Sequence, residues 1–169
     1  MGAFRLVQSL FGVLNILLQT FENYFLPKAA KIYNQSKAES MFYIKNLTQK
    51  SAVVFGAILV FIFIFSESLI VLAGGEKYAD YAFVVKGMSL LYVLIFISLP
   101  IRIAIRTMIL NKQFFIGYVF TLLFGLVSFK FLLSSFGISG AIMGLMSSQI
   151  ILIIFWQFIL QKNKFYIWK

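Results

Sequence analysis

Arg5, Gln8, Gly12, Asn15, Gln19 and Glu22 recur at alternating intervals of three and four, which places them on one face of a helix. Between them stand Phe4, Leu6, Val7, Leu10, Phe11, Val13, Leu14, Ile16, Leu17, Leu18 and Phe21. Arg5, Gln8, Asn15 and Gln19 carry hydrogen-bond donors suited to hydroxyl and phosphate oxygens. Arg5 and Glu22 stand near the two ends of the segment, where both read as interface anchors; Glu22, the acid nearest this seam, is also the candidate for coupling to an ion if it faces a cavity. A second pair with chemical potential is Arg102 and Arg106, four residues apart and just after Pro100, so both lie on one face. Guanidinium groups match the oxygens of a diphosphate, and they also serve as plain membrane-surface anchors; both readings stand for this pair.

Covalent catalysis and metal chemistry have little material here. The chain has no Cys and no His, and only five acidic residues among 169, so no enzyme activity, metal site or cofactor is expected. A 62% hydrophobic content with 21 Phe and 12% charged residues is more apolar surface than a water-soluble domain of this length can hide. The fold class expected is therefore all-α, a polytopic transmembrane helical bundle. Five spans are predicted, at about 4–26, 51–73, 83–110, 114–133 and 137–160. Residues 28–50 hold Lys28, Lys31, Lys37, Lys45 and Lys50 among Ile32, Tyr33, Met41, Phe42, Ile44 and Leu47, the pattern of an amphipathic linker on the membrane surface.

Charge bias then orients the spans. Placing the regions after spans one, three and five on the cytoplasmic side puts eleven of the fifteen Lys and Arg inside, with the N-terminus outside and the C-terminus inside. The net charge of +10 is accounted for by topology and anionic lipid headgroups, and no nucleic-acid partner is expected. An outside N-terminus with no leader ahead of it, and a transport-like seam in the first helix, lead to the expectation that upstream helices belong to the protein. The missing wall is then an N-terminal bundle or another membrane chain; the alternative is a free-standing five-span protein. Trp156, Tyr166 and Trp168 fit an aromatic belt at the inner interface. Gly140, Gly144 and Ser148 form a small-residue row for close helix packing.

Three runs of sequence carry a resemblance. The first is Gly2-Ala3-Phe4-Arg5, followed by Gln8-Ser9-Leu10, Asn15, Gln19 and Pro27-Lys28-Ala29-Ala30-Lys31-Ile32-Tyr33. The second is Leu72-Ala73-Gly74-Gly75-Glu76-Lys77-Tyr78 with Ala82, and the third is Gly137-Ile138-Ser139-Gly140-Ala141. In this order they resemble the polysaccharide-export branch of the multidrug/oligosaccharidyl-lipid/polysaccharide exporter superfamily, whose first such helix ends at a Pro. Phe4 stands where that branch usually has Tyr, and Ala73-Gly74 where it often has Phe-Gly.

The resemblance implies two bundles around a central cavity, with this chain forming the second bundle minus its first helix. It implies flipping of a polyprenyl-diphosphate-linked oligosaccharide across the bacterial cytoplasmic membrane for O-antigen, capsule or related polymers. Arg5, Gln8, Asn15, Gln19, Arg102 and Arg106 are the expected cavity and substrate residues, and membrane lipids are the other partner. Two alternatives stand beside it. One is a cation-coupled drug or metabolite exporter of the same superfamily, for which Glu22 would be essential; the other is a non-transporting, truncated membrane protein.

Overall fold

The computed structural model describes residues 2–167, which places Met1, Trp168 and Lys169 outside the described residues. The architecture is all-helical. Its elements are α1 (Gly2–Gln35), α2 (Lys37–Ile64), α3 (Ser66–Gly74), a short 3₁₀ helix (Glu76–Tyr81), α4 (Ala82–Thr107) and one long helical run, Asn111–Lys162. That run is two helices, α5 (111–136) and α6 (138–162), divided by Gly137 at φ 55° and ψ −132°, a conformation open to glycine and costly for any other residue. By length and composition, four helical stretches are long and apolar enough to cross a membrane: Gly2–Gln35, Lys37–Ile64, Glu76–Thr107 and Asn111–Lys162. Backbone polar groups in hydrocarbon need partners within the segment, which is the physical reason that so apolar a chain folds as helix.

Helix α4 is the centre. Val84, Val85, Met88, Leu91, Leu99, Ile101, Ile103, Ala104 and Ile105 are all buried, while a line of Phe83, Leu90, Val93 and Ile97 on one face stays exposed. Helix α1 packs on it through Ala3, Val7, Phe11, Leu14 and Leu18, spaced by three and four. Phe11 meets the Tyr92 ring at 4.8 Å, and the Tyr92 hydroxyl donates to the Phe11 carbonyl at 2.9 Å. Further along, Glu22 meets Arg102 and Arg106, so the contacts climb both helices together and α1 runs parallel to α4. Helix α2 runs the other way, with Phe55 on Phe96 and Lys86 over the Phe63 ring.

The segment 28–50, expected to be a linker, is a helical hairpin tip. Helix α1 continues through Pro27, sacrificing one backbone hydrogen bond, and ends at Gln35. Ser36 then turns the chain with extended dihedrals, and its hydroxyl accepts from the Glu39 amide at 3.3 Å, capping α2. The sequence Ser36-Lys37-Ala38-Glu39 is the signature of a capping box. Ser40 locks the tip by donating from its hydroxyl to the Ala29 carbonyl at 3.1 Å. The expectation that the first helix stops at Pro27 is thus corrected: buried Ala29 and the Ser40 bond hold the extra turns in place.

Helix α4 ends in a Schellman arrangement, Leu110 N–H to the Ile105 carbonyl and Ile109 N–H to the Arg106 carbonyl, both at 3.1 Å. The left-handed position is held by Ile109 (φ 57°), where a β-branched residue is strained by roughly 1–2 kcal/mol. Helices α5 and α6 pair antiparallel: Phe114 stacks on Trp156 at 5.1 Å, Phe120 meets Phe155, and Gly144 approaches Phe129 and Leu132. Trp156 is completely buried in this contact, which corrects its placement in an interfacial belt. Tyr166 is exposed, and Trp168 lies outside the described residues.

The small-residue row packs the hairpin closed. A Cβ at Gly140 would strike the Leu132 carbonyl oxygen, a backbone atom that cannot rotate away, whereas one at Gly144 would meet only the Leu132 and Phe129 side chains at 3.5 and 3.7 Å. Gly140→Ala is therefore expected to destabilise the protein by about 1–3 kcal/mol, and Gly144→Ala by under about 0.5 kcal/mol. Thermal unfolding of the two variants in detergent checks this, and equal melting temperatures would contradict the packing described.

Candidate functional site

The charged end of α1 and the charged end of α4 coincide because the two helices are parallel. There Glu22, only 6% exposed, receives both arginines of α4. Its Oε2 lies 3.0 Å from Arg102 Nη2, and its Oε1 accepts a hydrogen bond from Arg106 Nη1 at 2.8 Å. One carboxylate facing two guanidinium groups leaves the cluster with a net positive charge. Arg102 is mostly covered and its Nε–H has no partner, while Arg106 is 38% exposed. Glu22 therefore does not extend to an interface as a lone anchor. Its charge is already compensated on both oxygens.

The seam itself takes a different course. Arg5, Gln8, Asn15 and Gln19 are exposed, Gly12 is half-buried, and only Glu22 turns inward. Counting about 100° per residue, the seam lies roughly a quarter turn around α1 from the buried line Val7–Phe11–Leu14–Leu18. The flank of α1 that faces α2, marked by Phe21 against Phe55, lies on the opposite side of that line. None of the four exposed polar side chains bonds another group among the described residues. From Arg5 to Gln19 they extend over about 21 Å of helix and stop one turn short of the Glu22 cluster.

The structure thus brings Glu22, Arg102 and Arg106 into contact and leaves Arg5, Gln8, Asn15 and Gln19 as a bare polar stripe. Chemically, the stripe can donate to and accept from hydroxyls, and the cluster can present guanidinium N–H groups to an anion at its end. Among the described residues, no group of three His, Cys, Asp or Glu is placed to hold a metal ion. Sequence reasoning weighed Glu22 and the arginine pair separately. The signal for joining them was that one acid and two arginines occupy the same charged end of two apolar segments.

The order of burial sets the order of cost. Removing the carboxylate by Glu22→Gln leaves a covered Arg102 without its anion and is expected to cost about 1–3 kcal/mol. Arg102→Gln should cost more than Arg106→Gln, whose side chain is more solvated. The double variant Glu22→Gln/Arg102→Gln should be less destabilised than the sum of its singles, as read by equilibrium unfolding in micelles. Strict additivity would show that the contact carries no stability. No protein-family model matches the chain, and no curated protein or solved structure matches it.

Proposed function

We propose that this chain forms one wall of a membrane transport pathway for a lipid-linked glycan, acting as a flippase or as part of one. The observation that carries the reading is the bare stripe of Arg5, Gln8, Asn15 and Gln19 on an otherwise apolar helix. Polar groups inside a membrane segment are costly against lipid and are found facing water-filled cavities or other protein. Amides and a guanidinium along about 21 Å suit an extended, hydroxyl-rich substrate better than a compact apolar one. The positive cluster at the end of the stripe suits the diphosphate that joins glycan to polyprenyl carrier.

In this reading the chain crosses the bacterial cytoplasmic membrane five times, with α5 and α6 as separate spans on either side of the Gly137 turn and the lysine-rich hairpin tip inside. Parallel α1 and α4 with antiparallel α2 between their directions is the arrangement that alternate crossing requires. Further helices, from another bundle or chain, supply the opposite wall, and rocking of one bundle against the other gives alternating access. The cation-coupled exporter reading is weaker because both oxygens of Glu22 are occupied by arginines.

The absence of cysteine makes a labelling test clean. With single cysteines introduced in membranes, a polar maleimide is expected to modify positions 8, 15 and 19 of the stripe at least about fivefold faster than exposed apolar positions 13 and 16. Equal rates would remove the cavity wall. The substrate class is tested by glycan display in a flippase-deficient strain complemented with the gene in its native context. Asn15→Leu/Gln19→Leu should lower display by about tenfold or more at unchanged protein level. Undiminished display in that variant would sink the glycan reading.

A further inference from the structure

A second polar site lies on the other flank of α1, where the hairpin tip meets the apolar parts of α1 and α2. Lys28 is the first charged residue after the apolar stretch of α1 that follows Glu22, and Lys50 is the last before the uncharged stretch 51–65 of α2. Antiparallel pairing of the two helices sets both lysines around one cavity of about 280 Å³. Tyr43 and Asn46 complete its polar lining, and Phe25 and Phe42 its apolar wall. Lys28 Nζ stands 5.4 Å from the centre of the Tyr43 ring.

Three features of this cavity call for an anion. No acid lines it: Glu22 points towards α4, and Glu39, on the same face of α2 as Tyr43, lies a further turn towards the tip. Two lysines facing one cavity repel each other unless a negative group sits between them. The Tyr43 hydroxyl is shielded from solvent and has no hydrogen-bond partner, which leaves its O–H free to donate. An orphaned donor next to uncompensated ammonium groups is a site prepared for an oxyanion.

Position identifies the source of that anion. The lysines stand where apolar helix gives way to charged helix, the depth at which a bilayer carries its phosphates, and the exposed Phe42 ring beside them is suited to the interface. We infer that this cavity binds the headgroup phosphate of an anionic phospholipid. Lys28 and Lys50 supply charge, Asn46 and Tyr43 donate hydrogen bonds, and Phe25 and Phe42 contact the start of the acyl chains. The inference needs the membrane placement of the chain but not its transport role.

Native mass spectrometry of the full chain, delipidated and titrated with dioleoyl phosphatidylglycerol or dioleoyl phosphatidylcholine, tests it. The anionic lipid should be retained in preference to the zwitterionic one, and Lys28→Gln/Lys50→Gln should weaken its binding about tenfold or more. Lys28→Arg/Lys50→Arg should stay within about threefold of the parent, and the control Lys112→Gln/Lys162→Gln, equal in charge removed, should lose less than about twofold. Tyr43→Phe keeps the ring under Lys28 and should lose about two- to threefold through the missing hydroxyl alone. Equal losses in the control pair would reduce the effect to general charge and overturn the site. Displacement of the lipid by millimolar inorganic phosphate would show a free-anion site and overturn the lipid assignment.

Discussion

One carboxylate ties the two helices on which the rest of the molecule is arranged. Glu22 on α1 neutralises part of the charge on Arg102 and Arg106 of α4, across eighty or more residues of sequence. Without that contact, two guanidinium groups at the end of the most buried helix would face each other with no anion near them. With it, α1 is held at both ends of its interface, by the ion pairs at one and by the tilted Phe11–Tyr92 ring contact and hydrogen bond nearer the other. An ion pair this covered is no large source of stability against an apolar replacement of the same shape. What it does supply is register: sliding α1 by one turn along α4 would strand all three charges. The Schellman end of α4 lies just beyond Arg106, so the same turn that stops the helix also fixes where the arginines stand.

The second organising feature is economy with polar side chains in the interior. Buried hydroxyls are spent on their own helix: Thr48 donates to the Ile44 carbonyl, Ser51 to Leu47 and Ser89 to Val85. Among the described residues, Tyr92 and Ser40 reach a different helix, and each fixes a helix pair at one point. Almost everything else between helices is apolar contact. Against that background, the unpaired polar stripe of α1 and the lysine cavity at the hairpin tip are exceptions, and both lie outside the α1–α4 interface.

The all-helical, apolar character was legible in the sequence because hydropathy integrates over some twenty residues and tolerates local error, but the same averaging hid the division of the expected span 51–73 at Phe65, between α2 and α3. The turn at Gly137 falls at the gap between the expected segments 114–133 and 137–160. The hairpin tip was not legible. Five lysines made residues 28–50 read as a surface linker, although Ser36 and Glu39 already spelled a helix start. Trp156 read as interfacial because it sits near a basic tail; its burial depends on the α5–α6 register, which brings Phe114 opposite it and which no local pattern encodes. The polar seam was recognised as one face, yet its last member departs from it. Glu22 lies closest to the buried line, and only the position of the two arginines on another helix decides that it turns inward.

These parts give α1 four distinct faces, which bears on what must surround it. One face is apolar and covered by α4. One flank meets α2 and ends in the lysine cavity. The other flank is polar over most of its length and uncovered, while the back of the helix shows Val13, Ile16 and Leu17 bare. A helix wholly surrounded by lipid would not carry the third face, and one wholly buried in protein would not carry the last. In the transport reading proposed above, the two together set a boundary: hydrocarbon against Val13, Ile16 and Leu17, and water or other polar matter against Gln8, Asn15 and Gln19. On that reading the boundary falls along a single helix, and α1 is the rim of a polar space that its own bundle does not enclose.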